Sequence, residues 1–201
     1  MTSTVVADDL ACVLDGLELR QATLVAHSMG AGEAIRYLTR HGSERVERLV
    51  LLAPTTPGVQ RSADNPQGLD PQIFQKLRSV WQQDFPAWID QNTDAFVTPE
   101  TSPGMKRWLS RMMLRTPLQV ALATHRASLD TDFRAELARL RLPVLVVHGD
   151  RDVSAPLALT GQRSAALIPG ARLEVVPGAP HGLFATHHEL VNSSILAFLQ
   201  S

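Results

Sequence analysis

The feature that most restricts how this chain can fold is a pair of short, mainly apolar segments on either side of one helical pattern. The segments are residues 22–26 and 46–53, and the helical spacing between them stops at His41-Gly42. Short apolar segments are typical of strands that are buried on both faces of a parallel sheet. A strand, a helix and a second strand within about thirty residues form a right-handed crossover unit. We therefore expect an α/β fold with a mostly parallel sheet.

The same alternation occupies both ends of the chain. Residues 4–19 have the spacing of an amphipathic helix, and a second group of segments predicts a strand, a helix, a strand and a closing helix at 144–147, 157–167, 173–176 and 191–199. The part between these ends differs, because it holds all three tryptophans and its helical patches lie around 70–80, 105–115, 117–128 and 131–140. We interpret residues 1–53 and 142–201 as one doubly wound layer, interrupted by a helical insertion at 54–141.

Composition and charge exclude several kinds of partner. Nineteen basic and twenty acidic residues give a net charge of -1, which does not suit a nucleic-acid surface. The longest apolar stretches, such as 49–54, are far shorter than the roughly 20 residues that cross a bilayer. A single cysteine, Cys12, forms no internal disulfide, and the first twenty residues lack the pattern of a signal peptide. We therefore expect a cytoplasmic protein without nucleic-acid or membrane partners.

The turn after the first predicted strand contains a candidate nucleophile. It reads Ala26-His27-Ser28-Met29-Gly30, which matches the pattern G-x-S-x-G in all but its first position. A serine on such a sharp turn between strand and helix holds its hydroxyl clear of the backbone, and small neighbours let strand and helix pass closely. The alternative is that Ser28 only caps the following helix.

Two later loops contain the groups that a serine nucleophile needs. A serine hydroxyl reacts only when an imidazole takes its proton and an anion orients that imidazole. Asp150 and Asp152 follow the strand at 144–147, and His181 follows the strand at 173–176. Both loops lie at carboxyl ends of predicted parallel strands, where such folds place their sites. Asp152 is the expected acid, and Asp150, directly after a glycine, is the alternative that we expect to close the turn instead.

The other histidines have structural interpretations. We expect His148 to be buried and bonded to backbone, and the side chain of His27 to point away from Ser28. Solvated or structural positions are expected for the remaining four, His41, His125, His187 and His188. No pair among the seven histidines has the spacing of metal ligands with an acidic residue to support it, so we predict no metal site.

These motifs together resemble the α/β-hydrolases, and more narrowly the cofactor-free haloperoxidase and arylesterase group. The segments that carry the resemblance are 26–33, 46–54, 65–69, 148–152 and 177–183. The resemblance implies that Ser28 is the nucleophile, His181 the general base and Asp152 the orienting acid, in the chain order of that fold. It also implies an oxyanion donor in the backbone N–H of Met29, and a helical cap at 54–141 between the two parts of the core.

The implied activity is that of a serine hydrolase without a cofactor. It would cleave small-molecule carboxylic esters of small acyl groups through an acyl-Ser28 intermediate, and hydrogen peroxide in place of water would give a peracid. Among the aromatic residues of the insertion, Trp81, Trp88 and Trp108 are the predicted substrate contacts. The alternative from another class is a catalytically impaired remnant, or a binding subunit of a hydrolase.

The resemblance begins part-way into the family pattern. Four strands, the first helix and the loop that carries the first oxyanion donor have no counterpart, so the expected sheet contains only the C-terminal strands of the fold. Loss of one such donor lowers kcat by roughly 10²–10³. The strand at 22–26 is then an open edge, which is a template for pairing. Near Ala22 we expect pairing with a second copy, or with a separate polypeptide.

Overall fold

Four parallel strands form the sheet of this protein. In the computed structural model, which describes residues 3–200, they are β1 Ala22–His27, β2 Val46–Leu52, β3 Val144–Gly149 and β4 Arg172–Val176. The strands pair in chain order, all in parallel. Every residue of β3 is buried, as its apolar sequence indicates for a central parallel strand. The expected mostly parallel α/β sheet is confirmed.

Nine helices surround the sheet in the part of the chain that the structure describes. They are α1 Ser3–Gly16, α2 Gly30–His41, α3 Pro71–Phe96, α4 Pro103–Met113, α5 Leu118–Leu129, α6 Arg134–Leu137, α7 Gly161–Leu167, α8 Leu183–Thr186 and α9 His188–Leu199. The helix expected over 157–167 is instead a 3₁₀ turn, Leu157–Leu159, followed by α7. A short helix, α8, also precedes the closing helix.

Helix α3 continues sixteen residues beyond the patch predicted around 70–80, because an internal proline does not end it. Its backbone leaves the helical conformation at Asp84, where φ is -157° and ψ is 88°, and Pro86 follows two residues later. The Asp84 carboxylate accepts a hydrogen bond from the N–H of Ala87 at 2.9 Å. Asp84 therefore caps a second helical half in which Pro86 occupies the first turn, where a missing N–H is harmless.

The sheet is covered on both faces by apolar side chains. Leu49, Leu51 and Val146 face a core formed with α1, α2, α6 and α7. The alternate residues Val50 and Val147 face a second core, which includes side chains from α8 and α9. Because successive strand residues point to opposite faces, this division follows directly from the run of apolar residues in each strand.

The segment between β2 and β3 contributes to two different cores. Helices α3 and α5 share a cluster around Trp81, Ala121 and Leu122. Phe133, just before α6, belongs instead to the core beneath the sheet, and its N–H donates to the carbonyl of Pro57 at 2.6 Å. The end of the helical segment is therefore anchored to the α/β layer, although its middle has a core of its own.

Strand β1 lies at one edge of the sheet formed by the described residues. Val25, an apolar residue of β1, is 51% exposed. The pairing expected near Ala22 stays a prediction.

Among residues 3–200, no helix has both the length and the apolarity to cross a bilayer.

Gly149, the last residue of β3, is predicted to contribute to stability at the carboxyl end of the sheet. A Cβ at this position would overlap the carbonyl group of Ala179 in the loop after β4. Because backbone cannot move aside cheaply, Gly149→Ala should lower the free energy of unfolding by about 3 kcal/mol. Gly16→Ala is the matched control, since a Cβ there meets no atom within 4 Å. Urea unfolding of both variants checks this, and equal stability of the two would contradict it.

Candidate active site

Ser28 occupies a strained turn between β1 and α2. Its φ is 56°, in the left-handed region that costs an L-residue roughly 1–2 kcal/mol. The Ser28 N–H donates to the carbonyl of Leu52 at 2.9 Å, so the turn is fixed to the neighbouring strand. Met29 occupies the N-cap position of α2, and no side-chain bond caps that end. The Ser28 hydroxyl therefore does not cap α2, which was the alternative role for this residue.

The close packing around this turn occurs at Gly32 and not at Gly30. A Cβ on Gly30 would meet no atom within 4 Å, whereas a Cβ on Gly32 would lie 2.7 Å from the ring of Phe133. The expectation that small neighbours of Ser28 are needed for close packing is therefore wrong at Gly30. The restriction comes from the aromatic ring that the insertion places against α2.

Asp152 lies on the loop after β3 and accepts hydrogen bonds through both oxygens. Its Oδ1 accepts from the N–H groups of Ser154 at 2.9 Å and Ala155 at 2.7 Å. Its Oδ2 lies 2.7 Å from Nδ1 of His181. The residue is 5% exposed, so water contributes little to holding this carboxylate in place.

His181 lies on the loop after β4 and connects the acid to the serine. Its Nε2 lies 2.8 Å from Oγ of Ser28, on the opposite side of the ring from Asp152. A carboxylate only accepts hydrogen bonds, so Nδ1 carries a hydrogen and Nε2 is free to accept the hydroxyl proton. The three side chains named from the sequence thus form one continuous hydrogen-bonded row.

Asp150, the alternative acid, has a different partner. Its Oδ1 accepts from the N–H of Gly178 at 2.7 Å, and that glycine has a φ of 75°. The neighbouring Arg151 N–H donates to the carbonyl of Ala179 at 3.1 Å. These bonds join the loop after β3 to the loop after β4. The expectation that Asp150 closes the turn of its own loop is therefore wrong, because its carboxylate bridges the two loops instead.

The electrostatics of the row favour an ionised acid. Burial by itself would raise the pKa of Asp152, but hydrogen bonds from His148 and His181 and from the N–H of Ala155 outweigh it and hold the pKa well below its ordinary range. The acid therefore stays negative at neutral pH.

His27 has a closer relation to the row than the sequence predicted. Its Nε2 lies 3.0 Å from the backbone oxygen of His181. The two imidazole rings stand 4.8 Å apart. Burial, followed by the proximity of His181, lowers the pKa of His27 to about 4. A neutral His27 thus donates Nε2–H to the backbone of the candidate base, a contact that local sequence does not reveal.

Two phenylalanines surround the imidazoles, whereas the tryptophans lie elsewhere. Phe96 is edge-on to His181 at 5.6 Å, and Phe184 is edge-on to His27 at 4.9 Å. The carbonyl of Phe96, at the end of α3, accepts from the N–H of Gly182 at 2.7 Å. This bond fixes the loop of His181 to the helical segment.

The three tryptophans predicted to contact substrate have distinct surroundings. Trp81 is 6% exposed in the core of the insertion, and Trp88 packs against it with rings 4.8 Å apart. Trp108 is 53% exposed on α4. A side chain as buried as Trp81 offers little surface to a ligand, and the substrate contacts of these residues stay a prediction.

His148 and His125 both have hydrogen-bond partners away from Ser28. His148 is fully buried and bonds the carbonyl of Ala155 at 2.8 Å, as expected. His125 lies in the insertion beside Arg78, and burial together with that guanidinium lowers its pKa to about 4. Within residues 3–200, no group of three or more histidine, cysteine or acidic side chains could hold a metal ion.

Comparison with known proteins identifies the family of this chain. Residues 1–188 match the sequence profile of the alpha/beta hydrolase fold. The chain belongs to the α/β-hydrolase family. A non-heme chloroperoxidase of Kitasatospora aureofaciens is 36% identical over 200 residues, which cover 96% of this chain and 73% of that protein. Members of the family with this similarity are enzymes, and this α/β-hydrolase is one of them.

Two further relatives have names that describe an activity. A bifunctional esterase/perhydrolase of Acinetobacter calcoaceticus is 30% identical, covering 97% of this α/β-hydrolase and 73% of that protein. A crystal structure of a bromoperoxidase from Bacillus anthracis superimposes with a TM-score of 0.93 at 32% identity, covering 97% of this chain and 73% of that one. The resemblance to the haloperoxidase and esterase group is therefore confirmed.

The positive φ of Ser28 predicts a stability difference between two variants that both lack the hydroxyl. Ser28→Gly relieves the left-handed strain, whereas Ser28→Ala keeps a Cβ at a φ of 56°. We expect the glycine variant to be about 1 kcal/mol more stable, because the relief of strain exceeds the added freedom of the unfolded chain. Denaturant unfolding of the two variants side by side measures this. An alanine variant at least as stable as the glycine variant would show that the turn is unstrained.

Proposed function

We propose that this chain hydrolyses carboxylic esters of small acyl groups through an acyl-Ser28 intermediate. The observation that carries the proposal is the unbroken row from Oγ of Ser28 to Nε2 of His181, at 2.8 Å, and from Nδ1 of His181 to Asp152, at 2.7 Å. A hydroxyl, an imidazole and a buried carboxylate in this order form the constellation that activates a serine for acyl transfer.

Acylation would begin with transfer of the Ser28 proton to Nε2 of His181 as Oγ attacks the ester carbonyl carbon. Asp152 stabilises the imidazolium that forms and keeps its Nδ1 hydrogen in place. The oxyanion is stabilised by the N–H of Met29, which lies at the α2 terminus, where helical bonding leaves amides free and the helix dipole is positive. His181 then returns the proton to the alcohol oxygen as the C–O bond breaks.

Release of the acyl group would use the same residues in reverse. Water donates a proton to His181 and attacks the acyl carbon, and the departing Oγ of Ser28 takes that proton back. Hydrogen peroxide in the place of water gives a peroxy acid by the same route. The names of the similar chloroperoxidase and esterase/perhydrolase are consistent with both outcomes for this chain. A peroxy acid oxidises halide without a metal or haem.

Labelling with a fluorophosphonate, which phosphonylates activated serines, tests the proposal. The wild type should be labelled, and Ser28→Ala should abolish labelling because the nucleophilic atom is gone. Asp152→Asn should slow the labelling by about 10⁴-fold, because an amide can hold the imidazole in the wrong tautomer. Mass spectrometry of the labelled peptide and the second-order labelling rate are the measurements.

Asp150→Asn is the matched control for the acid. The amide oxygen introduced by this substitution can still accept from the N–H of Gly178, so labelling should stay within a few-fold of the wild-type rate. A folded wild type that resists labelling would favour the alternative, a catalytically impaired remnant or binding subunit. Equal losses in the two asparagine variants would remove the distinction between Asp152 and Asp150.

Perhydrolysis is tested separately from hydrolysis. With acetate, bromide and hydrogen peroxide present, the wild type should brominate monochlorodimedone, and Ser28→Ala should not, because the peracid forms only from the acyl-serine. The absorbance loss of monochlorodimedone measures the rate. A protein that hydrolyses p-nitrophenyl acetate but gives no bromination would be an esterase without perhydrolase activity.

A further inference from the structure

His148 makes a contact to the acid that the mechanism above does not use. It lies on β3, four residues before Asp152, and both side chains are 0% exposed. Its Nε2 stands 2.8 Å from the carbonyl oxygen of Ala155 and 3.2 Å from Oδ2 of Asp152. A carbonyl oxygen only accepts, so Nε2 must carry a hydrogen. This hydrogen is donated to the carbonyl of Ala155. Its partial positive charge also lies close to the carboxylate of Asp152.

The two oxygens that face His148 belong to one small loop. Ala155, whose carbonyl accepts from His148, donates its own N–H to Oδ1 of Asp152 at 2.7 Å. His148 therefore holds the loop at its carbonyl and faces the carboxylate at Oδ2. Oδ2 also accepts from His181. Contacts at both oxygens, Oδ1 and Oδ2, therefore hold the carboxylate against rotation.

The surrounding chain packs closely against the His148 ring. A Cβ on Gly161, at the start of α7, would overlap Nδ1 of His148. That nitrogen is buried and has no hydrogen-bond partner among the described residues. A buried nitrogen without a partner lowers stability. The two contacts of Nε2 are therefore the interactions that favour a histidine at this position.

We propose that His148 is a positioning residue for the Ser28–His181 pair, acting through the carboxylate of Asp152. This inference rests on the proposed function. From the buried end of β3, the imidazole sets the orientation of the acid, which in turn sets that of the base. The row thus has four members, and His148 is the one at the end opposite to Ser28.

A pair of variants of equal length tests this proposal. His148→Gln keeps an N–H donor at the same number of bonds from Cβ, whereas His148→Met has the same length without a donor. With p-nitrophenyl acetate, we expect His148→Met to lower kcat by about 10- to 100-fold at a KM within about 2-fold of wild type, because misplacement of the reacting groups affects only the chemical step. His148→Gln should restore kcat to within about 5-fold of wild type.

Thr160→Val is the control for simple anchoring of the loop. Thr160 donates through Oγ1 to the same carbonyl of Ala155 at 3.1 Å, and its hydroxyl also lies 2.9 Å from the carbonyl oxygen of Pro156. This variant should unfold at a lower temperature and keep most of its kcat. A Thr160→Val variant that reproduces the full loss of His148→Met would overturn the proposal, as would a folded His148→Met variant with wild-type kcat.

Gly161→Ala provides a second test if His148→Met does not fold. It leaves the histidine in the chain and crowds its ring from α7, so a folded variant should lose kcat at unchanged KM, and wild-type kcat would overturn the proposal. Fluorophosphonate labelling separates the two proposals. Labelling that Ser28→Ala abolishes but His148→Met leaves at its full rate would overturn the role of His148 alone. Absence of labelling in the wild type would overturn the proposed function itself.

Discussion

Parallel pairing of the strands is the constraint on which the candidate site depends. Because β1 to β4 run in one direction, the turns after β1, β3 and β4 leave the sheet at the same edge. Ser28 and His181 are 153 positions apart along the chain, yet their side chains meet at 2.8 Å. Each group of the row lies on a turn or loop that follows a strand, so the pairing of the strands determines where the three groups meet.

The positions of the three principal side chains were predictable from the sequence because each follows a short apolar strand and a recognisable turn. The elbow, the acid loop and the histidine loop are local patterns, and parallel pairing determines where they meet. The extent of α3 was not predictable in the same way. Pro86 normally indicates the end of a helix, and only the cap that Asp84 supplies shows how a second half follows it.

Contacts between distant segments were beyond the reach of the sequence. His27 bonds a backbone oxygen 154 positions away, and His148 faces Asp152 because of the shape of one loop. Spacing shows that both histidines lie at strand ends but not which atoms their nitrogens meet. The tryptophans of the insertion illustrate the same limit, since the exposure of Trp81 and Trp108 differs widely and depends on how α3, α4 and α5 pack.

The hydrogen bond between the carbonyl of Phe96 and the N–H of Gly182 links the helical segment to the residue that follows His181. A Cβ on Gly182 would overlap the same carbonyl, so the backbone at this position leaves no room for a side chain. For the proposed ester hydrolysis, acyl-group preference and turnover would therefore not be independent properties. A substitution in α3 that moves the Phe96 carbonyl would shift the loop of His181 as well, and variants selected for a new specificity would have to preserve the geometry of this one backbone bond.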